Sequence, residues 1–401
     1  MQRLILVWLL MLLSTAGVEV NGQSARPSVS QLTKNKIPKS LADRLGCTHC
    51  QGSYNFTDKD YLNEGADEIL ATGMRVIKIW LNKPRGNYPF NSDYPDYEDL
   101  VDIVRDPNFR KLFAKPFSTF ILTAYSFPEA QDHFRFGVDE ERYSGEVQQF
   151  YKLTKYLLTA YRGTGKTFVL QHWEGDWAIR PAEDRQPPKD PTPTAIEGMI
   201  RWLNGRQEGV DKARKEVGDS DVNVYHACEV NLVEIAMEGK KSVTNDVVPY
   251  THCDLYSYSA YDTINYARWD PGLLKAPKLF RRALDYLASK APDSKDFGDK
   301  NIYIGEFGQP SVRSERDWTA NEQNSLRVIR MTVEESLDWG CPYIVYWQVY
   351  DNERRVYHRR PGNDEVRGFY LIKPDGTRAP AWYYFTSLLN GEGLPSTQPA
   401  G

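Results

Sequence analysis

The chain has 401 residues, a formal charge of −4, a pI near 6.0 and five cysteines. The length exceeds a usual single domain but suits one closed α/β barrel. The charge gives no basic field for a phosphate backbone, which argues against nucleic acid as a partner, and five cysteines are too few and too odd for a disulfide scaffold. Ten Trp and 25 Tyr suit core packing and, equally, stacking on the apolar faces of sugar rings.

The first elements are not part of a fold. Met1-Gln2-Arg3, the apolar run 4–13 and Ser14-Thr15-Ala16 have the charged, greasy and small-residue parts of a secretory signal over residues 1–22, with cleavage after Ala16 or Gly22. A polar leader over 23–38 and a tail over 393–401 are expected to be disordered, leaving 39–392 as the folded domain. No later run reaches the roughly 20 apolar residues that cross a bilayer, so a secreted or periplasmic protein with no membrane contact after cleavage is expected. Oligomeric state is unreadable from one sequence.

From there, short β-branched runs alternate with amphipathic stretches, the pattern of parallel strands joined by helices. The runs are 45–47, 74–80, 117–124, 167–173, 222–228, 253–258, 301–305 and 343–347. Helices are expected after Thr57 with Gly73 at the C-terminal cap, over 146–161, after a capping box of Thr194 and Glu197, and over 273–290, 321–337 and 381–389. Eight such units close into a (β/α)8 TIM barrel. Cys47-Thr48-His49-Cys50 has metal-like spacing but no second ligand pair, so no metal and no cofactor are expected. Gly163-Thr164-Gly165-Lys166-Thr167 imitates a phosphate loop, yet it precedes a strand where the real motif follows one.

In a barrel of this type the loops after the strands form the active face. Two glutamates fall there, Glu174 after the fourth run and Glu306 between Gly305 and Gly308 after the seventh. A pair of carboxyls, one protonated and one ionised, is what cleavage of a glycosidic bond requires. Glu174, between Trp173 and Trp177, fits the acid, because apolar neighbours raise a carboxyl pKa. Glu306, expected to meet Lys78 and Tyr258 across the mouth, fits the nucleophile. Lys78 alternates with Ile77 and Ile79, points inward and needs a carboxylate partner. His172, Trp177, His226, Glu229 and Trp347 complete the candidate substrate-binding set, with Glu229 also an alternative acid. Asp176 binds a hydroxyl or ties its loop.

These residues resemble the glycoside hydrolases of clan A, whose barrels carry an acid/base glutamate after the fourth strand and a nucleophilic glutamate after the seventh. Gly305-Glu306-Phe307-Gly308 is similar to that clan's nucleophile segment, Tyr346-Trp347 to its eighth-strand tryptophan, and Tyr258 to its sixth-strand tyrosine. Two positions depart from the pattern: Lys78 stands where the clan carries arginine, and Trp173 where it carries asparagine before the acid. The resemblance implies an oligo- or polysaccharide substrate and a retaining, double-displacement reaction, for which the carboxyls lie about 5 to 5.5 Å apart. A non-catalytic carbohydrate-binding barrel and a metal-dependent hydrolase are the alternatives.

Overall fold

A computed structural model describes residues 36–355 and 362–391. The expected signal, most of the leader and the tail lie outside the described residues. At the first described residue, the Lys36 amide donates to the Asp296 carbonyl and its ammonium bonds Asn223 at 2.9 Å. Among the described residues no helix is long and apolar enough to cross a membrane.

Eight parallel strands form a closed barrel in sequence order: β1 (Leu45–Thr48), β2 (Val76–Trp80), β3 (Thr119–Thr123), β4 (Thr167–Gln171), β5 (Asn223–Val230), β6 (Leu255–Ser259), β7 (Ile302–Phe307) and β8 (Ile344–Tyr346). Strand β1 pairs with both β2 and β8, which closes the ring. The fold is therefore the (β/α)8 barrel that the alternation predicts.

Side-chain alternation divides the apolar residues into three layers. Val76, Ile121, Val169, Tyr225, Leu255 and Tyr303 belong to the cluster that fills the barrel interior. Their strand neighbours, such as Ile77, Phe120, Phe168, Cys228, Tyr258 and Ile304, pack outward against the helices. A third cluster of Cys50, Trp80, Trp347 and Phe369, with Trp173 and Tyr261 against it, lies at the carboxyl ends of the strands.

Helix starts follow local capping chemistry, and several differ from expectation. The first long helix is Tyr61–Ala71, capped by Asp60 accepting from Asn63 N at 3.0 Å, while Thr57 instead donates to Glu64. Helix Glu140–Ala160 begins six residues early, under Asp139. Helix Pro193–Val217 is capped by Thr192, not Thr194, because Pro193 is preset for the first helical position. Helix Ala276–Lys290 starts late, where the Asp270 carboxylate receives the Lys275 and Ala276 amides at 2.7 and 2.8 Å. Glu322–Trp339 and Pro380–Leu389 complete the long helices on the outside of the barrel. The phosphate-loop imitation is filled by the chain itself: the Gly163 and Gly165 amides both donate to Asp221 at 2.8 Å.

The strand that carries Glu306 is irregular. Between β6 and β7 the register jumps from Tyr258 opposite Ile304 to Ser259 opposite Glu306, leaving Gly305 as the extra residue of a bulge. Without that extra residue Glu306 would share the outward parity of Ile304; with it, the carboxylate turns into the mouth. Gly305 itself is pressed on the barrel interior, where an added Cβ would stand 1.8 Å from Ser257 Oγ and 3.1 Å from Glu229 Oε2. Gly305→Ala should therefore destabilise the fold by about 1–3 kcal/mol through overpacking. Gly145→Ala, in an exposed helical position with nothing within 4 Å of the new methyl, should stabilise it by about 0.5–1 kcal/mol. Urea denaturation of both variants checks the pair, and equal effects would contradict the close approach.

Candidate active site

At the mouth of the barrel one cation is shared by two buried carboxylates, with a third carboxyl above them. Lys78, fully buried on β2, places Nζ 3.3 Å from Glu229 Oε2, 3.3 Å from Glu306 Oε2 and 3.0 Å from the Gly305 carbonyl. All three ammonium protons are thereby directed at acceptors, and the ion pair raises the Lys78 pKa against the opposing effect of burial.

Glu229 is surrounded by donors. Its Oε1 accepts the Glu174 amide at 2.8 Å, and its Oε2 accepts Ser257 Oγ at 2.7 Å and Gln171 Nε2 at 2.9 Å, besides Lys78. Burial alone would raise its pKa; Lys78, the Glu174 amide and Ser257 outweigh that and hold it below the ordinary carboxylate range. A fully buried carboxylate with its lone pairs filled and its charge retained is not a proton donor. Glu229 is thus removed both as the alternative acid and as a substrate contact, and becomes the support that fixes Lys78 and the Glu174 backbone.

Glu306 has fewer donors, Lys78 and the Trp173 indole Nε1 at 3.0 Å, both on Oε2. Burial pushes its pKa up to about 7, opposed by Lys78 and reinforced by the Glu229 charge. Glu174 has left-handed backbone, φ 49° and ψ 61°, imposed by the turn in which its amide reaches Glu229. Its half-buried carboxyl is pushed well above the ordinary range by desolvation, and then by the charges of Glu306 and Glu229. With a single shared cation, the proton belongs on Glu174.

The remaining candidates separate by strand parity. Tyr258 does not meet Glu306: it faces the helices, stacks on Phe280 at 6.3 Å and bonds Asp262 and Thr263. Tyr261, three residues on, is the tyrosine at the mouth, its ring 6.3 Å from Phe369 and its pKa raised by burial and then by Glu306. His226 also faces outward, 5.8 Å from the Phe150 ring, and burial holds it neutral. His172 lies behind the site on Trp202, where Nε2 accepts the Glu229 amide at 3.0 Å; burial lowers its pKa to about 3. Both histidines are therefore corrected from substrate contacts to packing residues. Asp176 ties its loop through the Asn231, Leu232 and Val243 amides. Trp177 sits half-buried on the turn Gly175–Ala178. Trp347 is 5% exposed, 5.9 Å from Trp80, which stands at 5.9 Å from Trp173.

Sequence reasoning missed Gln171, Trp173 as a donor to Glu306, Ser257 and Tyr261. Inward parity on β4 and β6 was the available signal for Gln171 and Ser257. The Tyr125 hydroxyl accepts the Trp173 amide at 2.9 Å, so the indole is anchored at its own backbone. Among the described residues no group of three or more His, Cys, Asp or Glu is arranged to hold a metal. Cys47 belongs to the layer under the helices and Cys50 to the mouth, so the metal-like spacing makes no common site. All five cysteines are free and buried.

A (β/α)8 barrel with paired carboxyls in an aromatic mouth is the class that fold and site define. No family model matches the chain, and neither does any curated protein. Solved structures do resemble it. A glycoside hydrolase of family 5, subfamily 18, from Streptomyces cattleya, in complex with Manβ1-4GlcNAc, is 14% identical with a TM-score of 0.52, covering 89% of this chain and 82% of that one. A Bacteroidetes-affiliated family 5 cellulase is 16% identical with a TM-score of 0.50, covering 90% and 93%. A family 39 glycoside hydrolase from Bacteroides cellulosilyticus is 14% identical with a TM-score of 0.50, covering 88% and 65%. At these identities the likeness is one of fold.

The two lower carboxylates should respond to neutralisation with opposite sign. Glu306 is raised in the folded chain, so its burial costs stability progressively as pH rises from about 4.5 to about 7; Glu306→Gln should gain over the parent across that window, reaching at most about 3 kcal/mol above it. Glu229 is depressed, so its contribution is present above pH 4.5 and lost on acidification; Glu229→Gln should cost about 3 kcal/mol at neutral pH and less in acid. Denaturation at pH 5 and pH 8 reads both, and the same sign for the two variants would contradict the assignment.

Proposed function

We propose that the protein is an exported glycoside hydrolase that cleaves β-linked glycans with retention of configuration. The observation that carries this reading is the division of labour between two carboxyls at one mouth: Glu306 is fixed by Lys78 and the Trp173 indole, while Glu174 has no such donors among the described residues and its pKa is pushed well up. In the first step a Glu306 oxygen forms a bond to the anomeric carbon as the glycosidic bond breaks, and Glu174 gives its proton to the departing oxygen. In the second, Glu174 takes a proton from water as that water attacks the anomeric carbon and releases Glu306. Trp347 offers an apolar floor for the reacting ring. The family 5 neighbours, one bound to Manβ1-4GlcNAc and one a cellulase, make β-1,4-linked manno- and gluco-configured glycans the first substrates to try.

A glycan-binding barrel without catalysis is the second reading, favoured by one observation: the Glu306 side chain is only 4% exposed behind its aromatic neighbours. A panel of β-glycans and aryl β-glycosides separates the two. Hydrolysis by the parent should fall at least about a thousandfold in Glu306→Gln, and in Glu174→Gln most for substrates with poor leaving groups. Glycan affinity with no cleavage by the parent would favour the binding barrel.

The pH profile follows from the same carboxyls. Activity needs Glu306 ionised and Glu174 protonated, so kcat/KM should rise through about pH 7, and the falling limb set by Glu174 should be displaced well above the ordinary carboxylate range. A rising limb near pH 4.5 would contradict a nucleophile buried among like charges.

A further inference from the structure

Among the described residues, the two tryptophans with the most exposed surface stand together on the active face. Trp269 and Trp318 are 54% and 57% exposed, and their ring centroids lie 5.0 Å apart at 51°. Trp269 ends the helical turn Asn265–Trp269 after β6, and Trp318 lies between β7 and the helix Glu322–Trp339. Both segments follow strands, so the pair shares the barrel end that carries Glu174 and Glu306. The loops beneath are anchored. Arg327 donates to the carbonyls of Ala267 at 2.8 Å and Asp270 at 2.7 Å, and the buried Asp317 carboxylate receives Arg367 at 2.8 and 3.1 Å.

The patch is continuous with the mouth. Arg367 lies 5.0 Å over the Phe369 ring, and Phe369 packs on Tyr261 beside Glu306. Beside Trp318 runs an open groove of about 1070 Å³ whose lining includes Arg313, Asn321, Gln323, Asn324 and Tyr370. Apolar ring faces bordered by amide and guanidinium donors match a pyranose, which has an apolar C–H face and hydroxyls at its rim.

We propose that Trp269 and Trp318 form a second glycan-binding site, a platform that holds pyranose units of a polymeric β-glycan outside the reacting subsite. This rests on the glycosidase reading for the chemistry of its ligand. Its consequence is a preference for polymer over small glycosides, since distant units contribute binding that a short substrate lacks.

Affinity electrophoresis through gels containing carboxymethylcellulose, hydroxyethylcellulose or a soluble β-1,4-mannan tests the platform in a Glu306→Gln background, where the polymer survives. The background protein should be retarded by at least one polymer. Adding Trp269→Ala and Trp318→Ala should weaken retention roughly tenfold or more, as truncation of central tryptophans does, while Trp→Phe at both positions keeps most of it. Equal thermal midpoints for all three proteins would show that the exposed truncations leave the fold intact. Retention of the Ala variant equal to that of its background overturns the platform, as does a background protein that no polymer retards, or a parent chain whose self-association the Ala pair abolishes. Cleavage of aryl glycosides by the unsubstituted parent is read separately, so loss of the platform and loss of the glycosidase reading give different results.

Discussion

One buried ammonium organises the mouth of this barrel. Lys78 enters from β2 and satisfies acceptors on β5 and β7 at once, so strands that are not neighbours in the ring are tied through its interior. A buried charge is tolerated only when paired and hydrogen-bonded, and here the pairing is deliberately short by one cation. Two carboxylates share Lys78, Glu229 takes most of the additional donors, and what remains for Glu306 is one indole N–H. The third carboxyl, Glu174, accepts no side-chain hydrogen bond among the described residues, and the attraction of Lys78 is outweighed by burial and by the Glu306 and Glu229 charges. Different protonation states thus arise from the distribution of donors among chemically identical side chains.

The backbone serves that distribution. The bulge at Gly305 turns Glu306 inward and lets the chain pass close over Ser257 and Glu229. At the end of β4 the Glu174 amide is directed at Glu229, and Gly175 follows where an added Cβ would meet the Glu229 carbonyl at 2.3 Å. Glu229 therefore acts twice, as the counter-charge of Lys78 and as the acceptor that holds the Glu174 turn in left-handed conformation. Trp173 takes part in both the donor set and the aromatic wall, which gives the departure from asparagine at this position a physical function as an N–H donor to Glu306.

Much of the barrel is legible in the sequence because it rests on periodicity alone. Alternation along 76–80 puts Lys78 inside, and the structure has it there. The same alternation along 255–259 assigns Ser257 to the interior and Tyr258 to the helices; taking Tyr258 as a mouth residue ignored it. His226 and Glu229 differ in parity on one strand, so they could not both face substrate. Less was readable where a bulge breaks the period, because Gly305 looks like any turn glycine until its neighbours across the barrel are known. Helix starts missed where another cap took over, as Thr192 does beside Thr194 with Pro193 between them, and as Asp139 does well ahead of the expected start at 146. Tyr261 and the Trp173 indole were unreadable because they act through contacts set by loops.

The central claim is that donor allocation around Lys78 separates three glutamates in pKa. Carbon-13 NMR titration of glutamate carboxyls, with resonances assigned by Glu174→Gln, Glu229→Gln and Glu306→Gln, measures it directly. The account predicts a Glu229 signal that stays ionised below pH 4.5, a Glu306 signal that titrates near pH 7, and a Glu174 signal displaced well above the ordinary carboxylate range. Three signals titrating together in the ordinary carboxylate range would contradict it.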